Sequence, residues 1–88
     1  MKHYTSSDFW EMYWELPAEI RELADKNYEL LKENPHHPSL QFKRIEELWS
    51  VRVGKRYRAI GIDTPNGGIQ WIWIGSHAKY DKFIAEST

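Results

Sequence analysis

The spacing of apolar residues predicts two helices in the first third of the chain. Residues 6–8, Ser-Ser-Asp, are of the types that cap helices, and they precede an aromatic-rich segment. We therefore predict a short helix at 7–15, ending before Pro17. A second helix is predicted at 17–33, because its apolar residues recur at a spacing of three and four. These residues are Ile20, Leu23, Ala24, Leu30 and Leu31.

The second half of the chain has the pattern of a sheet. Three runs rich in Val, Ile, Trp and Tyr lie at 48–53, 57–62 and 69–74, separated by Gly-containing turns. A first strand is predicted at 40–45, and a short helix at 78–86. The order predicts an α+β fold in which the helices lie on one side of the sheet. Two N-terminal helices pack on a four-stranded antiparallel sheet, and a short C-terminal helix follows.

Period-two alternation sorts the strand residues onto two faces of this sheet. Along the last run it places Trp73 on the same face as Trp71, with Ile74 on the other face. It also places guanidinium groups on adjacent strands, at Arg52 and Arg58. The predicted sheet therefore combines an apolar core face with a cluster of cationic side chains.

Composition limits the class of protein. The chain of 88 residues is expected to form one domain, residues 1–88. Cysteine is absent, which excludes disulfides and thiolate metal sites and is compatible with a cytoplasmic location. No run approaches the roughly 18 apolar residues that span a membrane, so no membrane partner is expected. His36 and His37 lack a third ligand, so no metal or other cofactor is predicted, and His3 is expected to be disordered or exposed.

The charge is unevenly distributed, although the net charge is only −1. Residues 1–35 contain four basic and eight acidic side chains, whereas residues 36–62 contain six basic and two acidic ones. The positive charge therefore lies on the predicted sheet. Such a cluster forms either an anion-binding surface or an ordinary solvated strand face.

Several motifs, taken in order, resemble a known family. They are the Leu16-Pro17 start of the long helix, the loop NPHHPSL at 34–40, the strand pair SVRVG and YR at 50–58, and the ending IGSHAKY at 74–80. Over residues 9–84 the chain resembles the RelE/ParE superfamily of type II toxin–antitoxin toxins, in its HigB/RelE-like branch. The resemblance implies a metal-independent endoribonuclease that cleaves mRNA, usually at the ribosome, and is inhibited by a cognate antitoxin protein.

The resemblance also implies which side chains act on RNA. Attack of a ribose 2′-OH on the adjacent phosphate needs cations for the developing charge and groups that transfer protons. Arg52 and Arg58 match the family's basic strand positions and would supply the cations. His77 would transfer a proton, and Tyr80 would stack on a base or donate its phenolic proton. Four further basic residues are candidates for RNA binding: Lys43, Arg44, Lys55 and Arg56.

Two alternative functions stay open. The chain could be a ParE-like toxin that inhibits a protein target such as gyrase, or a non-catalytic binding module with the RelE fold. Ser50, where other members carry lysine, and the weak overall basicity favour these alternatives. Arg58 together with His77 favours the ribonuclease. Structural roles are open as well, because Arg58 could pair with Glu46 or Glu47 and His77 could simply cap the last helix.

Overall fold

A computed structural model describes residues 2–87 of the chain. A five-stranded sheet forms its centre, and helices cover both faces. The elements in chain order are β1 (His3–Thr5), α1 (Ser7–Trp14), α2 (Ala18–Glu33), a 3₁₀ turn (Pro38–Leu40), β2 (Lys43–Ile45), β3 (Leu48–Val53), β4 (Tyr57–Asp63), β5 (Ile69–Ser76) and α3 (His77–Ser87). Both predicted N-terminal helices and the C-terminal helix are confirmed within one or two residues at their ends.

The sheet is mixed, with strand order β1-β5-β4-β3-β2. Strands β2 to β5 pair antiparallel, as predicted, but β1 adds a fifth strand that runs parallel to β5. The prediction of four strands is therefore wrong by one. Strand β1 is only three residues long and depends on distant backbone partners: Ile69 N–H donates to the Lys2 carbonyl and Ser6 N–H to the Trp71 carbonyl. Such pairing leaves no periodic signal in the local sequence.

The predicted strand at 40–45 is also too long. Pro38–Leu40 forms a 3₁₀ turn, and Gln41 follows it in the left-handed conformation, with φ of 44°. This turn interrupts the extended backbone, so β2 begins only at Lys43. Leu40 lies in this turn but is completely buried. Its apolar side chain therefore indicates a place in the core and not a place in a strand.

Helices α1 and α2 pack on one face of the sheet. The Ser6 hydroxyl accepts a hydrogen bond from Phe9 N–H and so caps α1, as the sequence predicted. The core beneath these two helices is formed by buried residues of the helices and of three strands. Its members include Tyr13, Leu16, Leu31, Val51, Trp71 and Ile74.

Helix α3 covers the opposite face, so the expectation that helices lie on one side only is wrong. Tyr80 of α3 forms a hydrogen bond with Ser50, whose neighbour Val51 faces α1 and α2. Phe83 packs against Trp73, with ring centroids 5.6 Å apart. Ile60, which pairs with Ser50 on this face, is completely buried, and α3 follows directly from β5.

A bulge in β5 changes which of its residues face the core. Ile60 pairs with Trp73 whereas Gly61 pairs with Trp71, so Ile72 has no partner in the ladder. Beyond this point the alternation is reversed, and Ile74 rather than Trp73 joins Trp71 in the core. The predicted face for Trp73 is therefore wrong, because one extra residue moves every later side chain to the other face.

Candidate functional site

The centre of the site is a pair of arginines on neighbouring strands. Arg52 of β3 lies directly opposite Arg58 of β4 in the antiparallel ladder. Cβ atoms of such partners are about 5 Å apart, and like charges at this spacing destabilise a sheet. Arg52 Nε donates to the Gly54 carbonyl at 3.0 Å, and Arg58 Nη1 donates to the Tyr57 carbonyl at 2.8 Å. Neutral carbonyls hold both groups in place without compensating their charge.

No carboxylate in residues 2–87 forms an ion pair with either arginine. The ion pairs in this part of the chain are Lys32–Glu29, Arg44–Asp63 and His77–Asp81. The alternative in which Arg58 pairs with Glu46 or Glu47 therefore has no support in the geometry. Two adjacent cations that lack an anionic partner are suited to bind an anion such as phosphate.

The electrostatics of Arg58 reflect its surroundings. Burial lowers the pKa of the guanidinium, and the positive charge of Arg52 lowers that pKa further. Tyr80 and Asp81 act in the opposite direction and raise it. An arginine stays protonated at physiological pH despite such a shift, so the site keeps a partly desolvated cation. The influence of Tyr80 and Asp81 also shows that the first turns of α3 lie beside Arg58.

His77 is positioned by the backbone and by a carboxylate. Its backbone N–H donates a hydrogen bond to the Arg56 carbonyl at 2.6 Å. This hydrogen bond joins the start of α3 to the loop between β3 and β4. Its Nδ1 lies 3.1 Å from Asp81 Oδ2, one helical turn further on. The side chain is half exposed, and Nε2 has no hydrogen-bond partner in residues 2–87. The imidazole can therefore transfer a proton at Nε2 while Asp81 fixes its orientation.

Tyr80 is a buried support next to His77. Its ring centroid lies 5.9 Å from that of His77, and only 7% of the residue is exposed. Its hydroxyl is 2.9 Å from the hydroxyl of Ser50, which is 2% exposed. The hydrogen bond to Ser50 therefore fixes the Tyr80 ring next to the imidazole of His77. A direct contact between Tyr80 and RNA stays a prediction.

Of the four basic residues predicted to bind RNA, three lie near the arginine pair. Lys43 is opposite Ser50 on β2, so it projects from the same face as Arg52. Lys55 and Arg56 are exposed in the loop that contacts His77 through a carbonyl. Their roles in RNA binding stay predictions.

Arg44 is not brought together with the others. It lies on the opposite face, where its guanidinium stacks on Trp49 at 4.6 Å and forms two hydrogen bonds with Asp63 at 2.6 and 3.0 Å. The hydrogen bonds from Arg44 and Trp49 lower the pKa of Asp63. Its predicted RNA contact would require it to leave this ion pair, and that contact also stays a prediction.

Sequence reasoning missed three partners of these residues. Asp81 could have been found, because its i,i+4 spacing from His77 on a predicted helix places the two side chains together. Ser50 and Tyr80 are 30 residues apart, and Arg44 and Asp63 are 19 apart, so no local pattern joins them.

The structure also bears on metal and membrane binding. Within residues 2–87, no three side chains of the types His, Asp, Glu and Cys are grouped to hold a metal ion. No helix in the same range is long and apolar enough to cross a membrane.

The fold is shared with several toxins of known structure. The RelB–RelE antitoxin–toxin complex of Methanococcus jannaschii matches with a TM-score of 0.69 and 15% identity, over 91% of this chain and 96% of the other. YafQ from Escherichia coli strain BL21(DE3) matches with a TM-score of 0.68 and 15% identity, over 90% and 96%. The YoeB/ParE toxin from Agrobacterium tumefaciens matches with a TM-score of 0.66 and 16% identity, over 88% and 99%.

The sequence itself assigns the family. Among curated protein sequences none matches this chain significantly. The family model of the ParE-like toxin domain, however, matches residues 18–82, which is most of the chain and includes the arginine pair and His77. The chain therefore belongs to the ParE-like toxin domain family, within the RelE/ParE superfamily of toxin–antitoxin toxins that its motifs resemble.

Proposed function

We propose that this toxin is a cytoplasmic, single-domain endoribonuclease that cleaves mRNA in association with the ribosome, without a metal or another cofactor. The observation that carries the proposal is the cross-strand pair of Arg52 and Arg58, which has no anionic partner in residues 2–87. A phosphodiester bound between the two guanidiniums would supply the missing negative charge.

The proposed reaction is attack by a ribose 2′-OH on the adjacent phosphorus. The new bond joins the 2′-oxygen to phosphorus, the bond to the 5′-oxygen breaks, and a 2′,3′-cyclic phosphate forms. Arg52 and Arg58 donate hydrogen bonds to the phosphate oxygens, on which charge accumulates in the transition state. The 2′-OH proton passes to water.

His77 is proposed to protonate the departing 5′-oxygen. The carboxylate of Asp81 lies 3.1 Å from Nδ1 and fixes the orientation of the ring, while Nε2 carries the proton that is donated. The ring of Tyr80 packs against the imidazole, and the hydrogen bond between the Tyr80 and Ser50 hydroxyls fixes the position of that ring. Lys43, Lys55 and Arg56 are proposed to contact neighbouring phosphates of the RNA.

A cognate antitoxin is the proposed protein partner. The solved relatives from Methanococcus jannaschii and Escherichia coli are complexes of a RelE toxin with a RelB antitoxin. Because the arginine pair and its flanking lysines form a cationic surface, we expect an acidic segment of the antitoxin to cover them. Such a segment would compete directly with RNA.

The test is induced expression of the wild-type chain in bacteria, with growth measured alongside the mapping of mRNA 5′-ends. We expect growth arrest together with new 5′-ends in mRNA. Arg58→Gln and His77→Gln should abolish both. Lys26→Gln is the control, because it removes one positive charge from an exposed position of α2, away from the site, and should leave both effects intact.

Two outcomes would contradict the proposal. Growth arrest with intact mRNA would instead support inhibition of a protein target such as gyrase. Normal growth with a well-expressed, folded wild-type chain would support a binding module without toxicity.

A further inference from the structure

A cavity of about 210 Å³ lies on the face of the sheet opposite the arginine pair, between β1, α1, α2 and the strands. Its floor consists of buried apolar and aromatic side chains: Tyr13, Leu31, Val51, Ala59, Trp71 and Ile74. Pockets with an apolar lining bind apolar groups that fit them. The floor alone would therefore accept any apolar body of suitable size.

The rim of the cavity has a different chemistry. Tyr4, Trp10 and Tyr28 line it and are 40%, 44% and 40% exposed, so their rings stand at the entrance. Asp25 lies among them and is also exposed. It is the only carboxylate that lines the cavity in the described part of the chain. Aromatic faces and a carboxylate together form the environment that attracts an organic cation.

Asp25 is held at this rim by a specific contact. Its Oδ1 accepts a hydrogen bond from the Tyr13 hydroxyl at 2.8 Å. Burial raises the pKa of Tyr13, and the hydrogen bond to Asp25 raises it further, so the phenol remains a donor. Because only Oδ1 takes part in this hydrogen bond, Oδ2 is available to a ligand.

The surrounding surface already binds cations on aromatic rings. Lys32 Nζ lies 4.7 Å from the centroid of the Tyr28 ring, and the guanidinium of Arg21 lies 5.3 Å from that of Trp14. Residues 7–33, which include α1 and α2, contain eight acidic and three basic side chains, so this helical layer carries a net negative charge. Lys32, on the Tyr28 ring, and His3, which lines the cavity, are basic side chains on the same side. The charge and the ring chemistry at the rim therefore both favour a positively charged ligand over a neutral one.

We infer that this cavity is a binding site for a small organic cation, with an apolar body on the floor and an amidinium or substituted ammonium group between Trp10, Tyr28 and Asp25. The ligand differs in charge from the phosphates expected at the arginine pair, and it binds on the other face of the sheet. The inference is independent of the proposed ribonuclease activity.

The test uses benzamidine as the cation and benzamide as its neutral counterpart of nearly the same shape. Binding to the full chain is measured by calorimetry and by the NMR signals of the tryptophan indole N–H groups. Benzamidine should bind about tenfold more tightly than benzamide, since the rim supplies a carboxylate and cation–π contacts. The largest shifts should be those of Trp10 and Trp71, which line the cavity.

The control variants separate charge from shape. Asp25→Asn keeps an oxygen that can accept the Tyr13 hydrogen bond but removes the charge, so benzamidine should bind about tenfold more weakly. Glu22→Gln removes an exposed carboxylate on the same helix that does not line the cavity, and it should leave the affinity unchanged. If Asp25→Asn does not fold, Trp10→Leu replaces it and should weaken benzamidine binding severalfold without affecting benzamide.

The inference is overturned if benzamidine does not bind, if benzamide binds equally well, or if loss of the Asp25 charge leaves the affinity of benzamidine unchanged. It is also overturned if the shifts occur at Trp49 and Trp73, which do not line the cavity, and leave Trp10 and Trp71 unperturbed.

Discussion

Arg52 and Arg58 are direct cross-strand neighbours, and both carry a positive charge that no carboxylate of residues 2–87 compensates through an ion pair. Like charges at this spacing oppose folding, whereas opposite charges or an apolar pair would favour it. The repulsion lowers the stability of the protein without a ligand, and an anion placed between the two cations would relieve it. Function and stability should therefore respond to the same substitution in opposite directions.

The first prediction concerns this conflict. Arg52→Gln should leave the free energy of unfolding unchanged or raise it by about 0.2–1 kcal/mol, because it removes a like-charge pair. The same variant should reduce RNA cleavage by roughly a hundredfold, as expected for the loss of one preorganised donor to the transition state. Urea denaturation and single-turnover cleavage test the two effects. Strong destabilisation accompanied by full activity would show that Arg52 is a structural residue.

The second prediction concerns proton transfer. His77→Gln should reduce the rate of cleavage by about 10²- to 10⁴-fold, the usual contribution of a general acid. Asp81→Asn should have a smaller effect, because it changes only the partner that orients the imidazole. Single-turnover rates of both variants provide the comparison. If Asp81→Asn is as damaging as His77→Gln, Asp81 has a direct role that the geometry does not suggest.

The third prediction concerns the buried hydroxyl pair. Ser50→Ala and Tyr80→Phe should each reduce the free energy of unfolding by about 1–3 kcal/mol, because each leaves one buried hydroxyl without its partner. The double variant should lose less than the sum of the two single losses. A double-mutant cycle in urea measures this coupling. Strict additivity would mean that the hydrogen bond contributes nothing.

The fourth prediction concerns acid sensitivity at β1. His3, for which the sequence predicts disorder or exposure, lies in β1 and is partly buried. It stacks on Trp71 and accepts a hydrogen bond from the Trp71 indole N–H through Nδ1. Burial lowers the pKa of His3 below its ordinary value of 6.5, and nearby positive charges, including that of Lys32, add to the effect. The folded chain therefore disfavours the protonated imidazole.

Because the folded pKa lies below the unfolded one, the contribution of His3 to stability is complete above pH 6.5 and is lost as the pH falls below that value. Thermal unfolding from pH 7.5 to 5 should show this loss. In His3→Asn, which has no group that titrates in this range, the corresponding part of the pH dependence should be absent. An identical pH profile for both proteins would contradict the assignment.

The fifth prediction uses two glycines with similar backbone conformations. Gly54 and Gly67 have φ of 66° and 82°, in the region that side chains rarely adopt. A Cβ at Gly54 would lie 2.6 Å from Leu23 Cδ2, whereas one at Gly67 would have no neighbour within 4 Å. Gly67→Ala should therefore show the conformational cost alone, about 1 kcal/mol, and Gly54→Ala a larger loss. Equal losses in denaturation would mean that Leu23 moves aside freely.

Sequence patterns were sufficient where the interactions are local. The Ser6 cap, the two helices and the hairpins all depend on residues a few positions apart. The Arg52–Arg58 pairing also follows from a short loop, because a hairpin fixes its own register. The hairpin places the arginine candidates of β3 and β4 on one face of the sheet, whereas the position of α3 beside them was not predicted.

The features that sequence reasoning missed depend on distant parts of the chain. Strand β1 is defined by its pairing with β5, more than 60 residues away. The bulge at Ile72 arises from the fit of β5 to β4, and it decides the directions of Trp73 and Ile74. The ion pair of Arg44 with Asp63 likewise joins two strands that are not adjacent in the sheet. Periodicity describes one strand at a time and contains none of this information.

The two sides of the β3–β4 pair are chemically different but share one backbone. Val51 precedes Arg52 and Ala59 follows Arg58, so residues of the cavity floor alternate with the cation pair. A ligand in the cavity would therefore contact the same two strands whose backbone positions the guanidiniums. Occupation of the cavity is therefore expected to alter the spacing of the two guanidiniums, without any substitution on the face that carries them.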